Sequence, residues 1–184
     1  MTRRGFLVRA LRAVIAGTAS LPALRAAAAA LATSAAPGGG DLDAPEWAVV
    51  AAVLDHLLPS EAGAPGARDV HALGYLRLVV DDPKLGPAER ALVRAGVVEL
   101  EAICGEGHGA GFAALDEAQR EAALRRLEQS PTGGEWLAEM VDFLMEALLG
   151  DPSHGGNPAG IGWQWLGVTP GFPRPPEPRA GGAP

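Results

Sequence analysis

The sequence predicts an all-α protein, a small bundle of about five helices that ends in an irregular loop rich in tryptophan and glycine. Three observations favour this fold. Apolar residues recur at three- and four-residue steps in several segments, and no segment alternates strictly enough between apolar and polar residues to be a strand. In addition, 48% of the 184 residues are hydrophobic, which is enough for one packed domain of ordinary size.

Two helices are predicted before residue 81. Asp43, Pro45 and Glu46 form a helix start, with proline in the first turn and an acid near the positive end of the helix dipole. Pro59 should end this helix. Its buried face is predicted to consist of Trp47, Val50, Ala51, Leu54 and Leu58. A turn-rich loop over 60–66 separates it from a second helix over about 67–80.

A third helix and a glycine hinge are predicted next. After a break over 81–86, Pro87 opens a helix that should run to about Cys104. Its inward residues are predicted to be Leu92, Val93, Gly96, Leu100 and Ile103. The hinge over 105–111 alternates glycine with other residues. It does not match a dinucleotide-binding fingerprint, because the glycine spacing differs and no strand precedes it.

Two more helices complete the predicted bundle. Asp116 is a predicted N-cap for a fourth helix over 117–129. A turn over 131–134 should lead into a fifth helix over 135–149, which Gly150 ends. The buried side of the fifth helix is predicted to consist of Trp136, Met140, Phe143, Leu144 and Ala147.

The segment over 150–172 is predicted to be irregular, because glycines and prolines recur throughout it and disfavour both helix and strand. It nevertheless carries the large apolar side chains of Ile161, Trp163, Trp165, Leu166 and Phe172. Such side chains must pack against the preceding helices or against another protein. The helical domain is predicted over 44–172, and the Pro/Gly-rich residues over 173–184 are expected to form a disordered tail.

One pattern in this segment is specific. It comprises Asp151, Pro152, Gly155, Gly156, Asn157, Gly162, Trp163 and Gly167. This pattern resembles the C-terminal signature of the gluconate 2-dehydrogenase subunit 3 family, with His154 where the family usually has tyrosine. The residues over 58–67 also resemble that family, whose first helix commonly ends in Ile-Pro and leads into a Pro-Gly-Ala start.

The resemblance implies a function. The family consists of small, cofactor-free subunits of periplasmic dehydrogenases, in which FAD sits on a large subunit and electrons leave through a cytochrome c subunit that carries haem c. The resemblance thus implies a non-catalytic small subunit that meets the membrane only through its complex, with a sugar, sugar acid or alcohol as the substrate. The residues expected to set the loop structure and to contact the partner are Gly155, Gly156, Asn157, Trp163 and Trp165.

The first residues match an export signal. Arg3, Arg4, Phe6 and Leu7 fit the Ser/Thr-Arg-Arg-x-Phe-Leu pattern of the twin-arginine pathway. The apolar run over 14–24 is too short and too mild to span a bilayer.

Residues that follow this run suggest where the signal ends. An Ala-Leu-Ala sequence over 30–32 offers a cleavage site, so the signal is predicted over 1–32 and a flexible linker over 33–43. Because the twin-arginine pathway carries folded proteins, it suits either a chain that must acquire a cofactor in the cytoplasm or one that leaves in complex with such a protein. The predicted location is the periplasm.

Charge and cysteine content narrow the choice of partners. Five arginines and no acid lie in the first 25 residues, which leaves ten basic against 22 acidic residues in the rest of the chain, a formal charge of −12. This balance argues against nucleic acid or anionic lipid and suits either a cationic protein surface or a solvated exterior. Cys104 is the single cysteine, so it is either buried or paired with another chain, and burial is favoured.

No catalytic set is recognisable in the sequence. None of the serines lies in a Gly-x-Ser-x-Gly elbow, and no histidine follows a glutamate at the spacing of a di-metal bundle. Asp151, His154 and Asn157 lie close enough along the chain to hold a cation, with His108 as a further candidate, although such residues usually form turns. Two alternatives to a small subunit therefore stay open, an exported enzyme with a metal at Asp151 and His154, and a free-standing periplasmic binding or structural protein.

Overall fold

The computed structural model describes residues 42–169 of the chain. In this range the chain forms six α-helices, α1 (Ala44–Leu57), α2 (Ala72–Asp81), α3 (Pro87–His108), α4 (Glu117–Leu127), α5 (Pro131–Leu149) and α6 (Ile161–Leu166). No strand forms among the described residues, which contain only an isolated bridge between Glu61 and Ala64. The predicted all-α bundle is confirmed. The predicted signal over 1–32, the tail over 173–184 and the linker up to residue 41 lie outside the described residues.

Helix α1 begins as the sequence predicts. Asp43 Oδ1 accepts the backbone N–H of Glu46 at 2.8 Å, and Glu46 Oε2 accepts the backbone N–H of Asp43 at 2.8 Å. This capping box satisfies two donors that the helix itself leaves free. The buried face is shifted from the prediction, because α1 packs on α2, α3 and α5 together. It consists of Val49, Val50, Val53, Leu54 and Leu57, whereas Trp47, Ala51 and Leu58 are only partly buried.

Helix α2 begins at Ala72 rather than near residue 67, so the predicted start is wrong. Asp69 Oδ2 accepts the backbone N–H of Gly66 at 2.8 Å and the hydroxyl of Ser60 at 2.6 Å. His71 then takes a left-handed backbone with φ 58°. Because such side-chain hydrogen bonds compete with helix formation, the preceding residues form a turn instead.

Helix α3 runs past its predicted end at Cys104. It continues to His108 and stops at Gly109, which has φ 66° and donates its N–H to the carbonyl of Gly105. The predicted hinge over 105–111 is therefore wrong for its first four residues, which are helical. This additional turn of α3 lies beside α4, since Arg126 of α4 pairs with Glu106 at 2.7 Å.

The junction between α4 and α5 also differs from the prediction. Helix α4 ends at Leu127, and α5 begins at Pro131, inside the predicted turn over 131–134. Ser130 Oγ accepts the backbone N–H of Gly133 at 2.9 Å, and proline is well suited to the first helical position. A Cβ on Gly133 would overlap the carbonyl oxygen of Leu127, so this tight junction needs glycine.

Helix α5 lies at the centre of the core, and its predicted buried residues are all confirmed. Trp136, Met140, Phe143, Leu144 and Ala147 are buried. The indole of Trp136 lies directly on Gly96 of α3, where a Cβ would overlap the ring. Cys104 is buried as the sequence favours, and this burial, with the charge of Glu101, raises the pKa of its thiol to about 11.

Candidate functional site

The C-terminal loop is hydrogen-bonded to the last turn of α5. The final carbonyls of an α-helix have no partner within the helix and must find one elsewhere. Trp163 Nε1 donates to the carbonyl of Leu149 at 2.7 Å, and Asn157 Nδ2 donates to the carbonyl of Gly150 at 3.0 Å. Two residues of the signature thus provide hydrogen-bond donors for carbonyls at the end of the central helix.

Asn157 joins the end of α5, the start of α6 and Val70, which is distant in sequence. Its side chain is fully buried, and its backbone is left-handed with φ 49°. Besides the bond to Gly150, its Oδ1 accepts the N–H of Gly162 at 2.7 Å, and its own N–H donates to the carbonyl of Val70 at 3.1 Å. Asparagine suits this position, because its short polar side chain tolerates the left-handed region and can bond locally.

The signature glycines let the loop approach its neighbours closely. A Cβ on Gly156 would lie 2.8 Å from the Cα of Ala147, and one on Gly162 would overlap the carbonyl of Leu148. Gly155 has φ 94° beside the side chain of Leu78. The loop backbone therefore lies directly on α5 at Gly156 and Gly162 and beside α2 at Gly155, which explains why glycine is needed at these positions.

One part of this segment is more regular than predicted, because residues 161–166 form the six-residue helix α6. The chain turns at Gly160, with φ 70°, and Asn157 Oδ1 then accepts a backbone N–H in the first turn of the helix. Gly167, with φ 66°, ends it. The buried side chain of Asn157 thus accepts a hydrogen bond at the start of α6, and the local sequence does not indicate this start.

Large apolar side chains are exposed after this turn. Trp165 is 43% exposed, and Leu166 and Val168 are more exposed still. We call these three residues the apolar end. Of the five residues predicted to contact a partner, Gly156 and Asn157 are buried, Gly155 and Trp163 are partly buried, and Trp165 is exposed. The structure thus gives Asn157 and Trp163 a loop-setting role, and partner contact stays a prediction that falls chiefly on Trp165.

Of the residues considered for a metal, Asp151 uses its side chain in the turn that follows α5. Asp151 Oδ1 accepts the N–H of Ser153 at 2.9 Å, and His154 and His108 are exposed. Within residues 42–169 no three His, Cys, Asp or Glu side chains come close enough together to hold a metal ion.

Two features of the described surface were not predicted. Arg68 pairs with Asp55 at 2.6 Å on the rim of a groove of about 490 Å³ between α1 and α2, which Gly155 also lines. His56 contacts Glu121 of α4 at 3.2 Å. Neither pair has a sequence signal, because its partners meet only after the helices pack.

The fold and the loop define a small all-α domain whose aromatic C-terminal loop is fastened to its central helix. Residues 44–171 match the family described as gluconate 2-dehydrogenase subunit 3, and the chain belongs to this family. It is therefore an accessory subunit of the gluconate 2-dehydrogenase subunit 3 type. No curated protein and no solved structure matches the chain. None of the described helices is long and apolar enough to cross a membrane.

Proposed function

We propose that this chain is the non-catalytic small subunit of a periplasmic FAD-dependent dehydrogenase. It binds the flavoprotein subunit, supports its folding, and provides the twin-arginine signal on which the folded pair leaves the cytoplasm. FAD belongs to the partner and haem c to a further subunit, and the substrate class is a sugar, sugar acid or alcohol. Family membership and the Arg3-Arg4 pattern support this proposal.

The observation that carries the proposal is that the apolar end is exposed on a loop that is hydrogen-bonded to α5. The bonds from Asn157 and Trp163 to the end of α5 hold Trp165 and Leu166 in place while their side chains stay exposed. A preorganised aromatic side chain loses little conformational entropy on binding, and tryptophan is among the side chains that anchor interfaces. An exposed apolar end of this kind suits a partner that covers it.

Affinity purification of the tagged chain from its own host tests the binding. We expect it to bring down a stoichiometric FAD-containing protein. A chain recovered alone from the periplasm, monomeric and free of flavin, would contradict the proposal.

Export is tested by changing the arginine pair. In the double variant Arg3→Lys/Arg4→Lys, we expect both the chain and the flavoprotein to stay in the cytoplasm. The matched control is Arg9→Lys/Arg12→Lys, which alters the same segment outside the pattern and should leave both proteins in the periplasm. Normal export of the flavoprotein with the first variant would contradict the escort role.

A further inference from the structure

Helix α5 carries a second surface that the proposed function does not use. The residues of this surface are adjacent in sequence or three or four positions apart, and so lie along one side of the helix. We call this surface the α5 stripe. It consists of Glu135, Glu139, Asp142, Met145, Glu146 and Leu149. All of them are exposed except Glu139, which is half-buried.

The acidic part of the α5 stripe contains like charges that form no ion pair with any cation of residues 42–169. Burial raises the pKa of Glu139, and the nearby charges of Asp142, Glu146, Glu89 and Glu135 raise it further. Burial and Glu146 likewise raise the pKa of Asp142.

Glu146 accepts a hydrogen bond from the hydroxyl of Tyr75 at 2.8 Å, and this partner carries no positive charge. Four acids elsewhere on the described surface differ from it, since Glu46, Asp55, Glu106 and Glu121 each pair with an arginine. The α5 stripe therefore has charge that an external cation would neutralise.

The apolar part of the α5 stripe leads towards the apolar end. Met145 is 39% exposed and Leu149 is 37% exposed, although both are large apolar residues. The carbonyl of Leu149 accepts the indole N–H of Trp163, two residues before Trp165. Exposed apolar side chains beside a polar rim are typical of protein interfaces. The apolar part of the stripe thus ends next to the helix that carries Trp165 and Leu166.

We propose that the α5 stripe is a second docking surface for the flavoprotein subunit, which meets it with arginine or lysine opposite Glu135, Glu139 and Asp142. Apolar side chains of the partner cover Met145 and Leu149. This inference rests on the proposed function, because it assigns the occupant to the same partner. Three observations select that occupant: the chain belongs to a family of subunits, the stripe's charge is unpaired within the described residues, and its apolar part leads to the apolar end.

Site-specific cross-linking in the native complex tests the location. A photo-reactive amino acid is placed at Met145, at Trp165, and at Val98, which is a 57% exposed apolar residue of α3 and serves as the matched control. We expect cross-links to the FAD-containing chain from Met145 and Trp165, and none from Val98.

Three results would overturn the inference. They are a cross-link from Met145 to residues 1–25 of the same chain, a cross-link to a second copy, and no cross-link while Trp165 reacts. The last result would leave the proposed function standing, whereas absence of any flavoprotein from the purified wild-type complex would remove both.

Charge neutralisation tests the chemistry. In Glu139→Gln/Asp142→Asn the side-chain volumes are kept, and the dissociation constant of the complex at low salt should rise about ten-fold. The control is Asp81→Asn/Glu128→Gln, which removes two exposed acids outside the stripe and should change it less than two-fold. Wild-type binding should also weaken as salt is added, since screening reduces attraction between exposed charges. Equal affinities of the two double variants would overturn the cationic match.

Discussion

Asn157 is the residue on which the conformation of the C-terminal loop depends. In Asn157→Ala the N–H of Gly162 and the carbonyl of Gly150 lose their partners in a buried place, and alanine must adopt a left-handed backbone. We expect the free energy of unfolding to fall by about 3 kcal/mol. Urea denaturation followed by circular dichroism measures this. Gln164→Ala is the control, because it removes one exposed bond to Ala159 and should cost less than about 1 kcal/mol.

The two tryptophans of α6 should separate stability from binding. Trp163→Phe removes the bond to the carbonyl of Leu149 and should lower the free energy of unfolding by about 1 kcal/mol. Trp165→Ala should change it by less than about 0.5 kcal/mol, because this side chain is largely exposed. Flavin recovered with the tagged chain should instead fall most strongly in Trp165→Ala. A large loss of stability in Trp165→Ala with normal flavin recovery would reverse these roles.

For single residues of the C-terminal loop, the sequence indicates which positions are important for the structure but gives little of the physical reason. The resemblance selects Asn157 and the glycines at 155 and 156, but a sequence pattern cannot show that Asn157 is buried. Its role arises where the carbonyl of Val70, the end of α5 and the start of α6 meet. A contact such as the one with Val70, which is distant in sequence, cannot be read from the spacing of apolar residues.

Helix existence follows from local pattern, whereas helix ends depend on contacts. Local sequence patterns predict α1 to α5, and the predicted helix starts at Asp43 and Asp116 both form, each as a capping box. The wrong ends have physical causes that spacing does not carry. Asp69 holds a turn before α2, and Asn157 supplies the start of α6. The glycines at 105 and 107 predict a hinge, although helix α3 includes both.

The close packing of α3 on α5 can be tested with two glycines of one helix. In Gly96→Ala the new Cβ would overlap the indole of Trp136, so α3 and α5 must separate, and we expect a loss of about 3 kcal/mol or more in the free energy of unfolding. Gly105→Ala is the matched control, because its new Cβ would meet no neighbouring atom within 4 Å.

In this control the free energy of unfolding should rise and not fall. The helix propensity of alanine should raise the stability of Gly105→Ala by about 0.5–1 kcal/mol. Thermal unfolding of the two variants measures both effects. Equal stability of the two variants would mean that α3 and α5 do not pack at Gly96.

For the whole molecule, the class of fold and the family are predictable, and the arrangement of surfaces is not. Composition and periodicity predict one helical domain, and the signature predicts the family that matches residues 44–171. In the sequence the acids of α5 are only part of an acidic exterior. Their alignment with Met145 and Leu149 on one exposed side becomes clear once the side of α5 that carries Trp136 and Met140 is seen to be buried.

The acidic charge of α5, which has no cationic partner among the described residues, should also appear in the pH dependence of the free chain's stability. Because burial and the charges of Asp142, Glu146, Glu89 and Glu135 raise the pKa of Glu139 in the folded state, its ionised form opposes folding. Its contribution to stability therefore improves as the pH falls through the raised pKa.

Glu139→Gln removes this opposition at neutral pH. We expect the variant to be more stable than the parent there, by less than about 1 kcal/mol because the side chain is half exposed to water. The difference should shrink as the pH is lowered and disappear once Glu139 is protonated in both the folded and the unfolded parent. Urea denaturation across this pH range, with Glu128→Gln as the exposed control, measures it. A variant less stable than the parent at neutral pH would show that Glu139 has a favourable partner, and that the α5 stripe needs no external cation.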